Sequence, residues 1–162
     1  MPNFDYSVVD QMQELLERAV REAHLLEVAL DQETSALSNL DTDALNEAVA
    51  RKHRLATSLE QVTREQGDLL LAGGFARDAS GMDACLRAWD QEGIMRPLWD
   101  RLQAVMERCR RLNQVNGGVV QTHYRQVTQA IQVLRGEDPR MELYDPHGRT
   151  HGGGVSRHIS EA

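Results

Sequence analysis

Six histidines, two cysteines and 25 carboxylates are the side chains of this 162-residue chain that could hold a metal or carry acid–base and nucleophilic chemistry. Spacing decides whether they do. His147, His151 and His158 lie among glycines near the C-terminus without ligand-like spacing, whereas a zinc site needs three or four ligands in fixed geometry. His24 and His53 stand off the apolar stripes described below and read as solvated helix-surface residues, while His123 falls on a stripe and reads as a packed or hydrogen-bonded interior group. Cys85 and Cys109 form no CxxC and have no histidine at ligand spacing, so they read as small buried hydrophobes, with a single disulfide between them as the alternative. There is no GxSxG, no Walker-type glycine loop and no HExxH. Gly73-Gly74 and Gly152-Gly153-Gly154 lack the strand-before, helix-after setting of a phosphate cradle. The carboxylates follow polar helix faces. These residues build no catalytic constellation and ask for no cofactor or metal, so the expectation is a protein that is not an enzyme.

The elements that position them are helices. Charged residues make up 27%, hydrophobic ones 41% and aromatic ones 4%, a composition suited to long amphipathic helices, and no sustained period-2 run signals a strand. Met12, Leu16, Ala19, Ala23, Leu26, Leu30, Glu33 and Leu37 alternate 4-3 without a slip, marking one continuous helix with Ser7 as its expected N-cap. A short turn at Leu40-Asp41-Thr42-Asp43 offers Asp41, Thr42 or Asp43 as the next cap. Leu45, Ala48, Lys52, Leu55, Leu59, Val62, Gln66 and Leu69 form the second stripe, stopped by Gly73-Gly74. So short a link predicts an antiparallel helical hairpin. Within Phe75–Gly93, Ser80 is the expected cap of a short connector helix through Cys85, Leu86 and Trp89.

A third long helix, with Pro97 in its first turn, carries Leu98, Leu102, Val105, Cys109, Leu112, Asn116, Val119, His123, Gln126, Ala130 and Val133, closed by Gly136. Its anomaly is Asn116-Gly117-Gly118, since each interior glycine costs about 1 kcal/mol relative to alanine. Two readings stand: a kink joining two shorter helices, or a continuous helix whose small residues admit another backbone. The unbroken 4-3 phase through Leu112, Asn116, Val119 and His123 supports continuity, and a buried asparagine on a heptad seam fixes register. Val115, Val120, Val127, Ile131 and Leu134 lie off the seam as surplus apolar surface, covered either by the hairpin or by a partner. The expected fold is thus all-α: an antiparallel bundle of three long helices with a short helical connector over 1–136, and a flexible C-terminal tail over 137–162.

The formal net charge of −7 argues against nucleic acid and against an anionic membrane surface. No run of about 18 apolar residues predicts a span, and Met1–Asp10 does not resemble a signal peptide. A cytoplasmic location is the simplest expectation.

Several elements in order resemble one family. Trp99 and Leu102, then Leu112-Asn113-Gln114-Val115-Asn116-Gly117, then Leu134-Arg135-Gly136, then Leu143-Tyr144-Asp145-Pro146-His147-Gly148 are similar to the FlgN flagellar export chaperones, as is the Asp41–Leu59 pattern with Lys52. The resemblance implies a cytoplasmic, all-helical chaperone of flagellar type III secretion. Its clients would be the hook-associated proteins FlgK and FlgL, kept from premature assembly and delivered to the export-gate protein FlhA. Carried over, client binding falls on Val119, Val120, Val127, Ile131 and Leu134, and gate docking on Tyr144. Leu112, Asn113, Asn116, Gly117, Gly136 and Gly148 are the motif positions. Gly118, which doubles the motif glycine, and the Phe75–Gly93 connector depart from the pattern. The competing reading is a structural coiled-coil adaptor that dimerises through its stripes, against which the polar members Glu33, Lys52, Gln66, Asn116 and His123 weigh.

Overall fold

The computed structural model describes residues 6–134, and the side chains of 6–120 and 125. Four helices follow one another: α1 Tyr6–Asn39, α2 Thr42–Ala72, α3 Ala79–Trp89 and α4 Met95–Leu134. No strand occurs among the described residues. None of the described helices is long and apolar enough to cross a membrane. The chain divides into two units, Met1–Val119 and Val120–Ala162. The first holds the bundle core. Of the second, the described part is the end of α4, where Val120 and Arg125 are exposed.

All eight members of the first stripe are buried, including its one charged member Glu33. Ala19 and Ala23 of α1 and Leu59, Val62 and Leu70 of α2 belong to the same buried core. From α4, Met95, Leu102, Val105 and Cys109 enter it, with Leu98, Trp99 and Leu112 packed alongside.

Each helix end has its own device. α1 starts by Tyr6, so Ser7 lies inside the helix rather than capping it. At its C-terminus Leu40 takes φ 54° while the Asp41 N–H donates to Ala36 O and the Leu40 N–H to Leu37 O, a Schellman closure with leucine where glycine is usual. Asp41 then caps α2 by accepting from Ala44 N at 3.1 Å. Gly74, at φ 81°, closes α2 in the same way with Phe75 N on Leu70 O. The connector is helical as expected, but Asp78 caps it by accepting from Gly81 N at 2.8 Å, and Ser80 is its second residue. A Cβ at Gly81 would collide with the Ala76 carbonyl, so the chain ahead of α3 folds onto the helix start at a spacing only glycine allows. Phe75 meets Trp89 edge-on with ring centroids 5.3 Å apart, fastening the connector at both ends.

Asp90 organises the start of α4. Its Oδ1 accepts from Ile94 N and Met95 N and its Oδ2 from Arg96 N, at 2.8–3.0 Å. One carboxylate thus satisfies three otherwise orphaned donors at the positive end of the helix dipole. Helical backbone continues through Asn116, Gly117 and Gly118 without a break.

Candidate functional site

Three polar members of the seams, Glu33, Lys52 and Asn116, lie close together on the facing helices. Asn116 is 1% exposed, its Nδ2 donating to Leu30 O at 3.1 Å. The Thr34 hydroxyl lies 2.8 Å from Asn116 Oδ1 and 2.9 Å from Leu30 O. A hydroxyl has one proton, so Thr34 serves these two acceptors one at a time. One heptad earlier, Cys109 Sγ approaches Ala23 O at 3.7 Å. The steps Ala23 to Leu30 and Cys109 to Asn116 advance together, so a heptad of α1 is matched to a heptad of α4. Sliding α4 by one residue would leave the Asn116 amide buried without partners, a cost of about 1–3 kcal/mol per orphaned group. That is how a buried asparagine sets register.

Lys52 ties α2 into the same cluster. Its ammonium donates to both oxygens of Glu33 at 3.0 Å and to Asn113 Oδ1 at 3.3 Å. Glu33 carries the charge inside the α1 stripe, and Lys52 is its counter-ion from the facing helix. Asn113, itself exposed, joins α4 to the pair. Farther along the seam, Gln66 Nε2 is buried with no hydrogen-bond partner among the described residues.

Ion pairs line the periphery. Arg108 makes a two-pronged contact with Glu27, Nε to Oε1 at 2.8 Å and Nη2 to Oε2 at 3.1 Å, and this hydrogen bonding holds the Glu27 carboxyl below its ordinary range. Hydrogen bonds from Arg110 and then Arg111 take the half-exposed Glu107 carboxyl down to about 2. The two thiols behave as packing groups. Both are free and buried, and burial pushes Cys85 up to about 12 and Cys109 up to about 11. They are protonated and unreactive at neutral pH.

The glycines after Asn116 do not do what small residues at a close contact would do. A Cβ at Gly117 or Gly118 would meet nothing within 4 Å. Room for a side chain is therefore present at both positions among the described residues, so steric crowding at the Cβ is not what calls for glycine there. Leu112 packs against the core. Val119 is half-buried, whereas Val115 and Val120 are 58% and 50% exposed. Val127, Ile131 and Leu134 belong to α4, but their side chains lie outside the described residues, as does that of His123. Gly136, Tyr144 and Gly148 also lie outside them.

Thr34 and Asp90 are absent from the sequence-based reading. Thr34 carried a usable signal, being a hydroxyl beside the stripe member Glu33 and four residues after Leu30. Asp90 carried none, because a carboxylate reaching donors four to six residues ahead follows no fixed capping spacing.

An all-helical bundle whose seam residues Glu33, Lys52 and Asn116 find their partners inside the chain, with valines left facing outward, has the makings of a helical protein-binding module. The chain belongs to the FlgN protein family, whose sequence profile matches residues 1–152. No curated protein and no solved structure matches it. Family membership implies the role of a flagellar export chaperone for hook-associated proteins.

Proposed function

We propose that the chain binds the hook-associated proteins FlgK and FlgL in the cytoplasm, keeps them from assembling early and hands them to the export-gate protein FlhA. The observation that carries the client-binding part is the outward-facing apolar surface of α4, with Val115 and Val120 half or more exposed. Isolated exposed apolar residues are ordinary. Here they continue in sequence into Val127, Ile131 and Leu134 on the same helix, and a client's amphipathic helix laid along Val119, Val120, Val127, Ile131 and Leu134 would bury apolar area at about 25 cal/mol per Å². Tyr144, in the tail over 137–162, is assigned to gate docking, and 1–136 to the chaperone domain.

The pairing of Glu33 with Lys52 and of Arg18 with Ser58 supports reading α1 and α2 as an antiparallel hairpin. It also weighs against the coiled-coil adaptor. The α1 stripe is buried within a single chain, so it offers a second copy nothing to zip against.

Co-purification with C-terminal fragments of FlgK and FlgL tests the proposal. The wild-type chain retains a fragment, Val120→Asp loses it, and Tyr144→Ala retains the fragment but loses FlhA. Loss of the client with retention of FlhA in Tyr144→Ala would reverse the two assignments. Failure of the wild-type chain to retain either fragment would remove the client proposal.

A further inference from the structure

Besides the outer face of α4, the first unit has an unfilled groove between α2 and α4, of about 660 Å³. Leu26 and Leu30 of α1 and Cys109 form its floor, and Ala56 and Met106 its walls. It runs alongside α4 from Gln103 to Asn113, about 15 Å or three helical turns at 1.5 Å per residue. The Lys52–Asn113 hydrogen bond crosses one end. The space exists because the walls are an alanine and an unbranched methionine, where closing the seam would call for branched side chains meeting across it. Met106 is 37% exposed, and methionine adapts its shape to varied apolar partners.

We infer that this groove receives a short amphipathic helix of the exported client, about three turns long, with carboxylates flanking its apolar stripe. The inference rests on the chaperone reading above and adds a second place of contact and a charge preference. The groove is an apolar floor between two helix walls, the setting in which an amphipathic helix buries its apolar face. Charge selects among helices. Among the residues that line the groove stand the cations Lys52 and Arg110 against the single carboxylate Glu107, with His53 also on the rim. That local positive excess belongs to a chain of formal charge −7. A second copy of so acidic a chain meets general repulsion, whereas a client helix bearing carboxylates is drawn to this rim. The groove ends where Lys52 already bonds Asn113, which limits how far a guest can extend in that direction.

The test uses the full-length chain and a fluorescently labelled C-terminal fragment of its hook-associated client, followed by anisotropy. Ala56→Trp fills the groove and Met106→Glu places a charge on its wall, and each lowers affinity tenfold or more. Arg110→Glu alters a side chain that is 60% exposed, so folding survives. It lowers affinity several-fold and flattens the dependence of affinity on salt. A photo-cross-linker at Gln103 captures the client fragment. Wild-type affinity in all three variants, or capture of a second copy of the chain at Gln103, overturns the groove assignment while leaving the chaperone reading intact. Absence of binding by the wild-type chain overturns both. Thermal melts of each variant identify losses caused by unfolding, and Arg110→Glu then decides the matter alone.

Discussion

Asn116 separates a structural role from a client-binding one. Replacing it with alanine removes two hydrogen bonds, to Leu30 O and from Thr34 Oγ1, at about 1 kcal/mol each. Because the residue is 1% exposed, truncation also leaves a small void, costing about another 1 kcal/mol. Two effects offset this. Alanine favours the helix over asparagine by about 0.5 kcal/mol, and the Thr34 hydroxyl falls back on Leu30 O, 2.9 Å away, so no donor is orphaned. The net loss is about 2 kcal/mol. With a urea m-value of about 2 kcal/mol per M for a domain of this size, the unfolding midpoint followed by circular dichroism drops by about 1 M.

Asn116→Leu fills the site with an apolar side chain and leaves no buried amide to satisfy. Since replacing polar groups by apolar ones of like shape is close to neutral, its midpoint stays within about 0.5 M of wild type. Thr34→Val alone strands Asn116 Oδ1 and destabilises by about 1–2 kcal/mol, whereas the pair Thr34→Val with Asn116→Leu does not add. An unshifted midpoint in Asn116→Ala, or simple additivity in the double variant, would refute the register argument. If such an unchanged midpoint came with lost client binding, Asn116 would be a contact residue.

The remaining predictions concern other parts of the same seams. Gly117→Ala and Gly118→Ala meet open space, so each stabilises by about 1 kcal/mol through helix propensity alone. Gly81→Ala drives a methyl into the Ala76 carbonyl and costs several kcal/mol, on the order of other severe steric changes. Both are read by urea midpoint. Lys52→Met leaves Glu33 buried without its counter-ion and costs about 2–3 kcal/mol, while adding Glu33→Leu recovers most of it. The folded thiols titrate above their ordinary value of 9.0, so their stabilising contribution is complete below pH 9 and is lost as pH rises through about 11 to 12. A thiol reagent at pH 8 labels neither cysteine in the native chain and both in denaturant. Labelling of the native protein would show that the thiols are reached without unfolding.

Legibility in the sequence tracked how one-dimensional each signal was. All eight members of the α1 stripe are buried, Glu33 included, because a heptad phase is a property of spacing alone, while Val20, Ala29 and Ala36, also buried, lie beside the stripe. The two long helices beside it followed from the same rule. At the Phe75–Gly93 connector the rule ran out, since Asp78 and Ser80 are both good capping residues. The choice fell to Asp78 because the chain ahead of α3 folds onto Gly81, a tertiary contact that no local preference encodes. The glycines show the same limit from the other side. Sequence marks Gly117 and Gly118 as costly within a helix, but a close approach and an open face look identical until the neighbours are placed. Of the candidate site, Asn116 was legible as a register residue because a polar residue in phase with a heptad has few other uses. Its partners Thr34 and Leu30 depend on how two helices align, which spacing within one helix does not state.

A chaperone for apolar segments must expose apolar surface without associating with itself, and the polar cluster bears on that difficulty. A seam made only of leucine and alanine would be satisfied in several registers, and would also accept a second copy. With Asn116 bonded to the Leu30 carbonyl, and Lys52 bonded to Glu33 and Asn113, any slip or exchange of helices strands an amide or a charge in the core. The core is thereby committed to its own chain. Apolar side chains are left exposed outside it, among them Met106 in the groove and Val115 and Val120 on α4. The polar seam and the exposed valines are therefore parts of one solution, because the stability given up at Asn116, Glu33 and Lys52 is what allows apolar side chains to stay available for a partner.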